Sequence, residues 1–261
     1  MTHARLRLRS RLALRVQRLL SHLGLVVTGP VLLALFHFRF RFSAHDLARV
    51  RARYRALRAA YPGPLLICSN HLTLVDSIIQ AILLDSLWSY LRHPAALPWN
   101  LPEAKNYYHS LSWRLTCYLG RSIPVERGAS RERAALAQAQ MHYVLGQGDA
   151  IAIFPEGKRS RDGRVDDRDF SYGVGQLLNQ VPDAKVLCIY MRGMRFGGFA
   201  DFPRAGERFY LQLEMLAPQS ASLGLRRARD LSAQVVARIK EMEGEYFAAR
   251  DSGRLALPDT A

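Results

Sequence analysis

Three short clusters hold the residues best able to do chemistry. Asn70-His71-Leu72-Thr73-Leu74-Val75-Asp76 sets an imidazole five residues ahead of a carboxylate. An apolar run ends just before it and a helical pattern opens within it, so Asp76 falls in the first or second turn and can fold back toward His71. A carboxylate so placed fixes the tautomer and stabilises an imidazolium, which is what a general base needs to take a proton from a hydroxyl. Phe154-Pro155-Glu156-Gly157-Lys158-Arg159-Ser160-Arg161-Asp162-Gly163 follows another apolar run. Gly157 permits close backbone approach, and Lys158, Arg159 and Arg161 gather positive charge, a combination suited to a phosphate. Glu156 reads as an anchor for one of those cations. Gly120-Arg121-Ser122-Ile123-Pro124-Val125-Glu126-Arg127-Gly128 carries a run that closes on Arg127. Each cluster also has a plainer reading: an incidental His–Asp spacing, a solvated basic turn, a surface arginine.

The elements that must position these residues alternate along the chain. Short apolar runs predict strands over 64–69, 122–126, 150–154 and 186–191, and alternation predicts an edge or antiparallel strand over 207–216. Helical patterns cover 73–90, 130–148, with a Ser cap and a Gly stop, and 225–248. Strands interleaved with helices predict an α/β fold, a largely parallel central sheet flanked by helices. Its carboxyl edge, where open sheets of this kind bind ligands, would carry all three clusters.

Taken together, in this order and each after a predicted strand, the clusters resemble the glycerolipid acyltransferase family, which includes 1-acyl-sn-glycerol-3-phosphate acyltransferase. Its N-H-x-x-x-x-D block matches Asn70, His71 and Asp76, its Arg-ending block the run Ile123–Arg127, and its F-P-E-G-x-R-S block Phe154–Ser160. Lys105 resembles the lysine upstream of the second block, and Phe170 and Gly173 the pair after the third. The resemblance covers about residues 62–217. It implies direct acyl transfer from an acyl thioester, of acyl carrier protein or coenzyme A, to a lysophospholipid hydroxyl, first of all that of 1-acyl-sn-glycerol-3-phosphate. His71 would deprotonate that hydroxyl and Asp76 would orient His71. Lys105, Arg127 and Arg159 would hold the acceptor's phosphate; Asn70, Glu156, Gly157 and Ser160 would complete the acceptor site. No cofactor, metal or cysteine nucleophile is implied. Three departures stand out. The strand Val186–Tyr190 lacks the proline usual in the fourth block, Lys158 replaces a threonine, and Val165-Asp166-Asp167-Arg168-Asp169 is unusually acidic. The last two flank the predicted acceptor site and bear on the acceptor's identity more than on the reaction, the alternative being the same chemistry on a lyso-aminolipid or a lipid-linked specialised metabolite.

The charge is concentrated at one end. The chain has 261 residues, 37 Lys+Arg and 22 Asp+Glu, a net +15, of which residues 1–60 supply 13 Arg against Asp46 alone. A nearly balanced remainder argues against a protein that coats nucleic acid. Leu19 to Phe38 carries no charged residue. Gly29-Pro30 should break or kink a helix there. The segment can cross a bilayer, enter one leaflet and return, lie in the interface, or pair as buried helices; an uncleaved signal sequence fits less well. The resemblance implies a membrane-embedded helical hairpin. A further helix over 43–60 would start from a Ser43 cap. Residues 1–61 thus read as a membrane-anchoring segment for an anionic surface, 62–250 as the catalytic domain and 251–261 as a loose tail. Cys68, Cys117 and Cys188, sparse and unpaired in sequence, suggest a reducing compartment and hence the cytoplasmic face of the membrane. A non-catalytic basic peripheral protein would explain the N-terminal charge but not the His71–Asp76 pair.

Overall fold

The structure, a computed structural model, describes residues 6–255. Five strands form one sheet in the order β1-β5-β4-β2-β3: β1 (Ser43–Ala44), β2 (Leu65–Ser69), β3 (Ala150–Ile153), β4 (Lys185–Gly193) and β5 (Arg208–Leu216). β2 pairs parallel with both β3 and β4, in a register that sets Cys68 beside Ile153 and Cys188. β5 pairs antiparallel with β4, and β1 parallel with β5. β2 is fully buried, as a mainly apolar strand covered on both faces must be, whereas Phe209, Leu211 and Leu213 alternate inward along β5.

Two apolar layers cover the sheet. One joins Leu66, Cys68, Ile151 and Val186 to α7 (Arg131–Gly146), α8 (Gly173–Gln180) and α9 (Gly224–Asp251). The other joins Leu65, Ile67 and Leu187 to Val50 and Tyr54 of α2 (Leu47–Ala60) and to Ile79 and Leu83 of α3 (Asp76–Leu84). The expected division at 61/62 therefore runs between elements that share a core. The helix over 43–60 starts later than expected. Ser43 belongs to β1, and Asp46, at φ 50°, caps α2 by accepting from the Arg49 N–H.

The helix expected over 73–90 is two helices. Asp85 turns extended after α3 and accepts from the Ser86 N–H and the Ser89 hydroxyl, so α4 (Leu87–Arg92) starts afresh. The run expected as a strand over 122–126 is no regular strand. Ser122 and Val125 make isolated bridges to Asn100 and Glu103 beyond β3, because Pro124 has no N–H to continue a ladder. Two helices not expected from the sequence, α5 (Ala104–Tyr107) and α6 (Leu111–Leu119), precede Ser122, the second capped by Ser110.

At the N-terminus α1 (Leu8–Ala34) is continuous through Gly29-Pro30, contrary to the expected break, and a π-helical turn, Leu35–Arg39, follows. Packing outweighs the one lost hydrogen bond. Gln17 donates to the carbonyls of Tyr118 and Ser122, Ser21 to that of Leu119, and Arg18 pairs with buried Asp149 at 2.8 Å. Gly29 lies so close to Leu87 that a Cβ would meet it at 2.5 Å. The chain therefore does not turn back at Gly29-Pro30, and the next α-helix after this docked one is α2. The stretch Leu8–Arg39 is, among the described residues, the one long and apolar enough by length and composition to cross a membrane. The expected loose tail is ordered at its start: α9 reaches Asp251 and Leu255 is buried. Residues 256–261, like 1–5, lie outside the described residues.

Candidate active site

The three parallel strands deliver their following loops to one edge. β2 runs into Asn70 and His71, β3 into Phe154, and β4 ends past Met191. Asn70 is buried and spends its amide on β4, donating to the Met191 carbonyl at 2.9 Å and accepting the Met191 N–H at 2.8 Å. It acts as one more backbone unit in the β2–β4 ladder. The structure places it beside His71, and it is not among the groove's lining residues.

His71 is held on every side. Its Nδ1 lies 3.0 Å from Asp76 Oδ2. That oxygen also accepts the N–H groups of Leu72 at 2.6 Å and Thr73 at 2.8 Å, and Oδ1 accepts the Thr73 hydroxyl at 2.5 Å. Asp76, the first residue of α3, is buried at the N-terminal end of that helix, where a carboxylate is favoured. Four donors fix it, and with Nδ1–H committed to it the other ring nitrogen, Nε2, is the basic one. Phe154 stacks on the imidazole, centroids 3.9 Å apart and planes 10° from parallel. The Ser160 N–H donates to the His71 carbonyl at 2.8 Å.

Glu156 completes this clamp. One carboxylate oxygen accepts the His71 N–H at 3.2 Å and the other the Asp166 N–H at 3.1 Å. It anchors backbone, not one of the neighbouring cations. Burial pushes the Glu156 carboxyl up to about 7, with the two N–H donors pulling the other way. Gly157 takes φ 66°, a left-handed turn that suits glycine, and sends Lys158 outward. Lys158 Nζ sits 2.7 Å from Asp169 and 2.9 Å from Asp166, a pairing that holds Asp166 at about 2. Ser160 is spent inside its own loop, its hydroxyl on Asp162.

A groove of about 2510 Å³ opens along this edge, lined by His71 and by Leu25, Leu32, Ile78, Leu87, Trp113 and Leu119 on its apolar side. Glu156, Gly157, Arg159, Ser160 and Arg127 line its polar side. Arg159 pairs with Asp201 at 2.6 Å and Arg127 with Glu103 at 3.4 Å. Lys105 is exposed on α5 and is not among the groove's lining residues. Trp99 is fully buried with its indole N–H on Asp149, while Tyr107 lines the groove and bonds the Leu74 carbonyl. Thr73 and Phe154 are the contacts of the dyad that residue spacing alone did not single out. The cysteines are buried and unpaired, and burial pushes the Cys68 and Cys188 thiols up. That removes them from nucleophilic chemistry.

A buried carboxylate, an oriented imidazole and a long apolar groove beside cations suit acyl transfer to an amphiphile's hydroxyl. No curated protein matches the chain. The family model described as Acyltransferase matches residues 49–192, more than half of the sequence, from within α2 to the end of β4, and so contains the dyad and the Glu156 clamp. The chain belongs to this family, the glycerolipid acyltransferases, whose chemistry is acyl transfer to a lipid acceptor.

Proposed function

We propose that the protein is a membrane-associated O-acyltransferase that moves an acyl chain from a thioester of acyl carrier protein or coenzyme A to the hydroxyl of a lysophospholipid. The observation that carries this reading is the imidazole whose Nδ1 is committed to buried Asp76 while the residue lines the groove. His71 Nε2 takes the proton as the acceptor oxygen attacks the thioester carbonyl. The C–S bond breaks, the ester remains on the acceptor, and the imidazolium returns its proton to the departing thiolate. Asp76 stabilises the imidazolium meanwhile, and no acyl-enzyme forms. The outward apolar face of α1 supports a bilayer contact, with the Arg-rich segment meeting anionic headgroups. The thioester donors put the reaction on the cytoplasmic face.

The test is acyl transfer by purified His71→Ala protein, with a labelled acyl thioester and lysophospholipid. It should bind vesicles as the wild type does and form no product; retained turnover would overturn the base assignment. The acceptor implied by the resemblance is 1-acyl-sn-glycerol-3-phosphate. A second reading, the same chemistry on a different headgroup, is favoured by one observation. Lys158, Arg159 and Arg127, which line the groove, each already face a carboxylate.

A further inference from the structure

The groove is electrically balanced. Among the described residues, eight Lys or Arg and eight Asp or Glu line it, so its walls stay close to balance even with the Glu156 carboxyl pushed up to about 7. Exposed ion pairs are individually weak, and a phosphate could displace one. What concentrates a dianion, however, is the field of the whole wall, and a balanced wall supplies little. Lys158 is the sharpest case. It sits where the resemblance expects a threonine, and it adds a cation only to be met by two carboxylates, Asp166 and Asp169, of which Asp169 is 82% exposed. That trio is net negative at the lip of the groove.

Charges of both signs remain to be used there. Arg161, Arg164 and Arg168 line the groove with no ion pair or side-chain hydrogen bond among the described residues, Arg164 lying over the Phe247 ring, and Asp167, next to Arg168 in sequence, does likewise. A dianionic phosphomonoester would meet Asp167, Asp169 and Asp166 without a cation to offer them. A headgroup bearing both signs would satisfy the two sets at once.

We infer that the acceptor is a lysolipid whose headgroup carries a cation beside its anion, with Asp167 and Asp169 receiving the cation and Arg161 the anion. This rests on the acyl-transfer reading above and names its substrate class. Three lysolipids with the same acyl chain and the same free backbone hydroxyl, scored by product acylated at that hydroxyl, decide it: lysophosphatidate, lysophosphatidylglycerol and lysophosphatidylethanolamine. They are presented to the full-length protein in nonionic micelles with one labelled thioester donor. The zwitterionic lysophosphatidylethanolamine should exceed both others in kcat/KM by about threefold or more, the scale of a single exposed charge contact. The double variant Asp167→Asn/Asp169→Asn should lower its advantage over lysophosphatidylglycerol by a similar factor. Preference for either anionic lysolipid, or a ratio unmoved in the double variant, would overturn the inference. A protein that acylates none of the three would instead sink the acyl-transfer reading itself.

Discussion

Asp76→Asn tests how the dyad works. Asp76 Oδ2 lies 3.0 Å from His71 Nδ1, which sets the two charge centres about 4 Å apart once His71 is protonated; at an effective dielectric near 20 their attraction is about 4 kcal/mol. His71 keeps 19% of its side chain exposed, and solvent screening brings the figure to about 3 kcal/mol, roughly a hundredfold in rate. The asparagine has one good orientation. Its oxygen replaces Oδ2 and keeps the His71, Leu72 and Thr73 N–H donors, while its amide faces the Thr73 hydroxyl, which turns to accept. Geometry survives and only charge is lost, at about 1–3 kcal/mol of stability as charged hydrogen bonds become neutral ones. Asp76 does not line the groove, so KM should stay within about twofold while kcat falls about a hundredfold or more. Steady-state rates on folded protein, verified by thermal melting, provide the assay. A variant that folds and keeps kcat within about fivefold of wild type would refute the claim that Asp76 stabilises a charged His71 in the transition state.

Three further outcomes follow from the same contacts. Glu156 has a folded-state pKa raised from 4.5 to about 7, so its contribution is fully present below pH 4.5 and is lost as pH rises to about 7, at a cost near 3 kcal/mol. Melting temperatures of wild type and Glu156→Gln, measured from pH 4.5 to 8, should therefore converge or cross as pH rises, and parallel curves would reject this. Asn70→Ala strands the buried Met191 N–H and carbonyl, costing about 2–4 kcal/mol in denaturant melts and lowering kcat through a displaced His71. Gly175→Ala would put a Cβ 1.8 Å from the Ala228 carbonyl oxygen of α9, so a loss of roughly 3 kcal/mol or more, or no folded protein, is expected.

The buried strands were legible because an all-apolar run of four or five residues has little choice once both its faces are covered. The Ser130 cap of α7 was legible because its hydroxyl accepts the Arg133 N–H, a purely local event. The His71–Asp76 contact could be read for the same reason, its partners being one turn apart. Thr73 was hidden between them, since nothing in the spacing says that its hydroxyl turns to Asp76. Glu156 misled because its sequence neighbours are cations, while the turn at Gly157 sends those outward and leaves the carboxylate facing His71. Arg159 finds Asp201 from 42 residues away, a pairing that no local pattern announces. α8 carries little helical signal, because Gly173 and Gly175 are poor helix formers. Gly175 is required instead by the close crossing of α9, and its N–H donates to Ser232.

α1 ties the reaction to its surroundings through an inverted pattern. A surface helix turns its apolar stripe to the core and its polar one to water. Here Gln17, Arg18 and Ser21 face the domain, while Leu12, Leu19, Leu23, Val27 and Val31 stay exposed. Such a stripe is stable against lipid and costly against water. The groove passes along the same helix, with Leu25, Thr28, Gly29 and Leu32 on its wall. Under the proposed reading, an acyl chain therefore goes from bilayer to His71 along apolar surface. Each methylene exposed to water would cost about 0.8 kcal/mol, so a detour that wetted only four would cost about 3 kcal/mol, as much as the Asp76 charge contributes to the rate. Docking α1 by its polar face keeps that path dry, which is why a helix rich in arginine and leucine makes its specific hydrogen bonds inward.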